Sequence, residues 1–115
     1  MSRDLLDQPD ETPCECLAGN FSALLQVGDA YVDDQFAEVS VQICSRCGQL
    51  WLRYFYENEA FTRSGRWYLA PLPPHEYTKL RREDAKKWLE NMPWYYCGGS
   101  YFDGKVSKTS GRIYL

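Results

Sequence analysis

Two pairs of closely spaced cysteines constrain this chain more than any other feature: Cys14 and Cys16 in Cys-Glu-Cys, and Cys44 and Cys47 in Cys-Ser-Arg-Cys-Gly. Thiolates two residues apart can face one ion if the backbone between them turns tightly. Gly48 stands where such a turn needs positive φ, which glycine adopts at little steric cost. A tetrahedral zinc takes four thiolates at about 2.3 Å. One tight pair supplies two of them, and Cys14 with Cys16 is the other close pair, one residue tighter than the usual gap. The segment between the pairs is long enough to fold back and bring them together. The reading is one closed site in which Cys14, Cys16, Cys44 and Cys47 hold a single structural zinc. A redox dithiol is the first alternative, but such a motif usually opens a helix after a strand, and strand-like residues follow Cys47. A disulfide framework or simple buried thiols come next, against which stand an odd cysteine count and the lack of a secretory signal. A further alternative lets His75 or Cys97 replace Cys14 or Cys16, since mixed sites are ordinary.

The flanks of the second pair carry a clear pattern. Val39, Val41 and Ile43 fall on one face and Glu38, Ser40 and Gln42 on the other, which predicts a half-buried antiparallel strand running into Cys44. After Gly48, residues 49–57 predict a second strand with Leu50, Leu52, Tyr54 and Tyr56 on one face and Trp51, Arg53 and Phe55 on the other. Bulk on both faces marks it as central. The two strands and the cysteine turn form one hairpin. This arrangement resembles the zinc ribbons over roughly residues 14 to 56, on Cys44, Cys47 and Gly48, with Cys14 and Cys16 an approximate match. The resemblance implies a metal. Zinc ribbons serve nucleic-acid binding, protein docking and plain stabilisation, so it implies no single task.

Elsewhere, residues 17–35 suggest a strand or irregular segment ending at Gly28-Asp29, with Asp33 and Asp34 in a polar turn. Residues 66–70 predict a third strand, stopped by Pro71, Pro73 and Pro74, which lack the amide donor. One helix is expected from Leu80 or Arg82 to Met92, with Glu83 and Asp84 near its positive end and Ala85, Trp88, Leu89 and Met92 on one buried stripe. Trp94 to Phe102 reads as a strand broken at Gly98-Gly99, and Asp103-Gly104 as a two-residue hairpin turn into residues 105–113. The expected fold is α+β: an antiparallel sheet of about four or five strands with one amphipathic helix and a zinc-knuckle hairpin, in a single domain over residues 14–115 behind a flexible acidic tail at 1–13.

The formal charge of −3 resides in that tail, and the remainder is balanced. A general nucleic-acid binder normally shows a basic surface. The cluster of Arg81, Arg82, Lys86 and Lys87 reads as the solvent face of the helix. No apolar run approaches the roughly 20 residues of a membrane span, and thiols at metal spacing fit a reducing cytoplasm. A four-cysteine zinc site has no open position for water. A dyad of Cys97 with His75 lacks the setting that lowers a thiol pKa. Gly98-Gly99-Ser100, with Lys105, Lys108 and Arg112 after it, lacks the spacing of a phosphate loop. The sequence therefore favours a small non-enzymatic zinc protein that binds another protein. Its contact would be an aromatic patch drawn from Trp51, Phe55, Trp67, Tyr95, Tyr96 and Tyr101, since aromatics dominate interface energetics. A nucleic-acid-binding zinc ribbon using Arg46, Arg53 and the helix face is the alternative, and a thiol redox or cysteine-dependent enzyme the second.

Overall fold

The period-two pattern around the second cysteine pair becomes a hairpin in the computed structural model, which describes residues 14–115. The tail expected over 1–13 lies outside the described residues. Six strands, β1 (Leu24–Val32), β2 (Glu38–Cys44), β3 (Leu50–Tyr56), β4 (Arg66–Pro71), β5 (Tyr95–Gly98) and β6 (Ser107–Thr109), form one sheet. Their order in the sheet is their order in the chain, and each neighbouring pair is antiparallel. Two short helices, α1 (Pro74–Tyr77) and α2 (Ala85–Glu90), interrupt the run between β4 and β5. The α+β expectation holds, with six strands in place of four or five. Among the described residues no helix is long and apolar enough to cross a membrane.

The additional strand is β1. Gly28 was expected to end a segment, but its φ of 72° places it in an irregularity of the β1–β2 register between Val27 and Tyr31, so the strand passes through it. The expected two-residue hairpin at Asp103-Gly104 is also different. Both residues have positive φ, yet a 3₁₀ turn at Ser100–Phe102 precedes them, and β5 and β6 are joined by a longer loop. The helix begins as a 3₁₀ turn (Arg82–Asp84) and becomes α-helical at Ala85. Ala85 and Leu89 are buried, while Trp88 and Met92 pack at the edge of the same cluster. The Trp88 indole donates to Glu76 Oε1 at 2.7 Å, which ties α2 to α1.

The sheet is covered on both faces, and strand alternation assigns each residue its side. On the helix side lie Val39, Val41, Leu52, Tyr54, Tyr68, Ala70, Tyr95 and Cys97, closed by Ala85 and Leu89. On the other side Cys16, Cys44, Trp51, Leu69 and Tyr96 form a second cluster. Phe21, from the segment before β1, meets the rings of Trp51, Trp67 and Tyr96 edge-on at 5.5, 5.7 and 5.1 Å between centroids. Two cores consume aromatics that one core would have left over. Trp51, Tyr95 and Tyr96, expected in an exposed patch, are buried. Phe55 and Trp67 are half-buried, and Tyr101 is exposed.

The β1–β2 turn is built around Asp33, which is buried. Its Oδ1 accepts from the amides of Gln35 and Ala37, and its Oδ2 accepts from the Tyr54 hydroxyl at 2.6 Å. The turn holds Phe36 at a φ of 63° and leaves the residue 85% exposed. A bulky side chain is strained in that region, whereas asparagine tolerates it. Phe36→Asn is expected to stabilise the fold by about 0.5–1 kcal/mol, measured by urea denaturation.

Candidate metal centre

The two cysteine pairs are shaped by different backbones. Cys44 ends β2, and its amide donates to Gln49 O at 2.9 Å while Gly48 N donates to Cys44 O at 2.8 Å, closing the turn. Gly48 takes a φ of 82°, as its place after Cys47 requires. Cys14 is extended and caps a 3₁₀ turn, Glu15–Ala18, that carries Cys16. The change from extended to 3₁₀ backbone within one residue brings both sulfurs to one point, so the shorter gap suffices. Gly19, at a φ of 103°, ends the turn.

All four sulfurs lie within 4.8 Å of one another. Cys14 Sγ stands 3.8 Å from Cys44 Sγ, and Cys16 Sγ stands 3.7 Å from Cys47 Sγ. Four sulfurs at about 2.3 Å from one centre stand about 3.8 Å apart. The contacts cross between the pairs, as in a tetrahedron with one pair on each of two opposite edges. The four cysteines are positioned to bind one metal ion, and all five cysteines of the chain are free of disulfides.

Cys16 and Cys44 are buried, Cys14 is half-buried and Cys47 exposed. The backbone N–H groups of Cys47 and Arg46 donate to the Cys44 sulfur and lower its pKa to about 7. Burial pushes the Cys16 thiol up to about 12, and the Cys47 sulfur adds to it, while the Trp51 indole opposes. The buried Trp51 Nε1 has no hydrogen-bond partner among the described residues. A neutral thiol is a weak acceptor, and a thiolate, the form that binds metal, is a strong one. The orphaned donor thus fits a charged sulfur at Cys16. Because the ligands bind deprotonated, metal binding displaces the Cys16 proton throughout the range below about 12. Affinity should therefore fall steadily as the pH is lowered, which chelator competition at a series of pH values measures.

The surroundings lock both loops in place. Ser45 N donates to Ala23 O at 2.9 Å, the Tyr96 hydroxyl donates to Leu17 O at 2.8 Å, and Arg46 pairs with Glu15 at 3.2 Å on the surface. Trp51 was not recognisable as part of the site. The available signal was its place on β3, opposite in pleat to the helix-side residues and in register with Gln42, two residues before Cys44. Trp51→Phe removes the indole donor and keeps the ring. It is expected to leave one metal per chain and to weaken its retention at least tenfold in chelator competition, whereas loss of packing alone would lower the melting temperature with retention unchanged.

The remaining candidates lie apart from this cluster. Cys97 is buried on the helix side with its sulfur 3.4 Å from Ser107 Oγ. His75 is exposed on α1 beside Glu76. They line different hollows, so no dyad forms, and neither joins the four sulfurs. Lys108 lies over the rings of Trp94 and Tyr96, Arg112 lies over Tyr114, and Ser100 opens a 3₁₀ turn, so this segment makes no phosphate loop. Arg53 pairs with Glu38, Arg81 with Glu83 and Asp84, and Lys86 with Glu90.

Fold and site together describe a six-stranded antiparallel sheet with a cluster of four cysteines, positioned to bind one metal ion, on one face. In comparisons with known proteins, no family model, curated protein or solved structure matches the chain.

Proposed function

We propose that the chain is a non-enzymatic binding module stapled by one structural zinc at Cys14, Cys16, Cys44 and Cys47. The observation that carries this is the convergence of four sulfurs at tetrahedral spacing, two of them buried. The soft thiolate set selects zinc among the common divalent ions. Four protein ligands leave no position for a reacting water, which separates a structural site from a hydrolytic one. Thiolates of this kind persist in a reducing compartment, which supports a cytoplasmic location.

The partner we propose is another protein, bound on the metal-side face of the sheet beyond the cover that Phe21 provides. There Phe21, Leu24, Gln42, Arg53, Trp67 and Leu69 line a hollow of about 300 Å³. Phe55 adjoins it, with the Arg53 guanidinium 5.1 Å from its ring centroid. Half-buried aromatics beside an arginine are the groups that dominate interface energetics. The nucleic-acid alternative is weaker, because Arg46, Arg53, Arg81 and Lys86 are each paired with a carboxylate.

Native mass spectrometry of freshly purified protein tests the staple. One zinc per chain is the expected result, and a metal-free folded chain with reactive thiols would overturn it.

A further inference from the structure

Arg66 opens β4 opposite Tyr56, the last residue of β3, at the end of these strands remote from the cysteine turn. It is only 6% exposed. Its guanidinium carbon lies 4.0 Å from the ring centroid of Tyr101 and 5.0 Å from that of Tyr56. Its Nε is buried without a hydrogen-bond partner, and among the described residues no carboxylate pairs with it. This contrasts with Arg46, Arg53, Arg63 and Arg81, which are more exposed and yet each have an acidic partner.

A guanidinium carries five donors and always a charge. Removing that charge from water is unfavourable unless it is paired. Two aromatic faces recover part of this cost but accept none of the N–H bonds in the guanidinium plane. The arrangement is also constructed with care. Gly99, at a φ of 112°, lies so close to the start of β4 that an added Cβ would stand 2.5 Å from Gly65 O. That approach lets Tyr101 N donate to Gly65 O at 2.8 Å and sets the Tyr101 ring over Arg66. The hydroxyls of Tyr54, Tyr95 and Tyr96 all have acceptors within the protein. Those of Tyr56 and Tyr101 have none among the described residues.

We propose that Arg66, flanked by Tyr56 and Tyr101, is a binding site for a carboxylate. One planar fork with one positive charge matches one carboxylate in bidentate geometry. Arg63, three residues before Arg66 in the sequence, is already paired with Asp103, which favours a singly charged carboxylate over a phosphate dianion. The site is independent of the metal and lies on the helix side of the sheet, away from the face proposed above for a partner protein.

The test is amide-resolved NMR on the full-length, metal-loaded protein. Sodium acetate, an oligoglutamate peptide, sodium phosphate and sodium chloride are titrated at matched ionic strength. Acetate and the peptide should give saturable shifts at Gly65, Arg66 and Tyr101, and chloride should not. Arg66→Lys keeps the charge and loses the fork, and it should weaken acetate binding at least tenfold. Tyr101→Ala removes an exposed ring and should weaken it several-fold, and it serves alone if the lysine variant does not fold. Tighter binding of the peptide than of acetate assigns the site to an acidic segment of a partner, and equal binding per carboxylate assigns it to a small acid. The proposal fails if chloride reproduces the shifts, if phosphate binds more tightly than acetate, or if neither variant weakens the response.

Discussion

Replacement of Cys44 by serine should release the metal and lower the unfolding free energy by at least about 3 kcal/mol. An ion held by the four sulfurs would bridge 30 residues from Cys14 to Cys44 and 31 from Cys16 to Cys47. Closing a loop of that length in the unfolded chain is worth roughly 3–4 kcal/mol in the cross-link picture. The metal–sulfur bonds add to this, because the ligands are assembled only in the folded state. For a domain of this size the melting temperature should drop by roughly 15 °C or more. The comparison that isolates the effect is Cys97→Ser. Cys97 is equally buried but lies on the other face of the sheet, beside Ser107 and outside the cluster. Its replacement should cost about 1 kcal/mol and leave the metal in place. Metal analysis and calorimetry on both variants decide the matter. If the two behave alike, the four sulfurs hold no structural ion.

Gly99→Ala should cost about 3 kcal/mol or more without touching the metal. The new Cβ would meet Gly65 O at 2.5 Å and Arg66 Cα at 3.0 Å, both backbone atoms where the chain enters β4. Neither can rotate aside, so β4 and β5 must separate locally. Its φ of 112° adds strain for any residue with a side chain. Two other glycines calibrate the result. Gly98→Ala would press on the Trp67 ring at 2.5 Å, but that ring is half-exposed and can shift, so a smaller loss is expected. Gly48→Ala meets nothing within 4 Å and should cost only the φ penalty of about 1 kcal/mol. Urea denaturation should rank the three Gly99, Gly98, Gly48. The reverse order would mean that the approach of β5 to β4 is not what the glycine provides.

What was legible in the sequence was local. Cys44, Cys47 and Gly48 sit in one tight turn, and the alternation of β2 and β3 requires no knowledge of distant residues. Ala85 and Leu89 declared the buried stripe of α2 for the same reason. What was hidden depends on which surfaces meet. Gly28 has the chemistry of a strand end, and only pairing with β2 turns it into an irregularity within a strand. Trp51 and Tyr96 looked like surplus aromatics because the cover over their face comes from Phe21 and the segment between the first cysteines and β1. Arg66 looked like an ordinary strand terminus, and nothing in its neighbourhood signalled that Tyr101, far along the chain, would lie over it.

The sheet lists its strands in the order in which they are made. During synthesis from the N-terminus, all four sulfurs and the glycine that shapes their turn have emerged by Gly48. The Tyr96 hydroxyl that fastens the first loop through Leu17 belongs to the second-last strand. A nascent chain can therefore own a complete set of ligands well before it owns their lid. Metal captured in that interval would template the face that later closes over it.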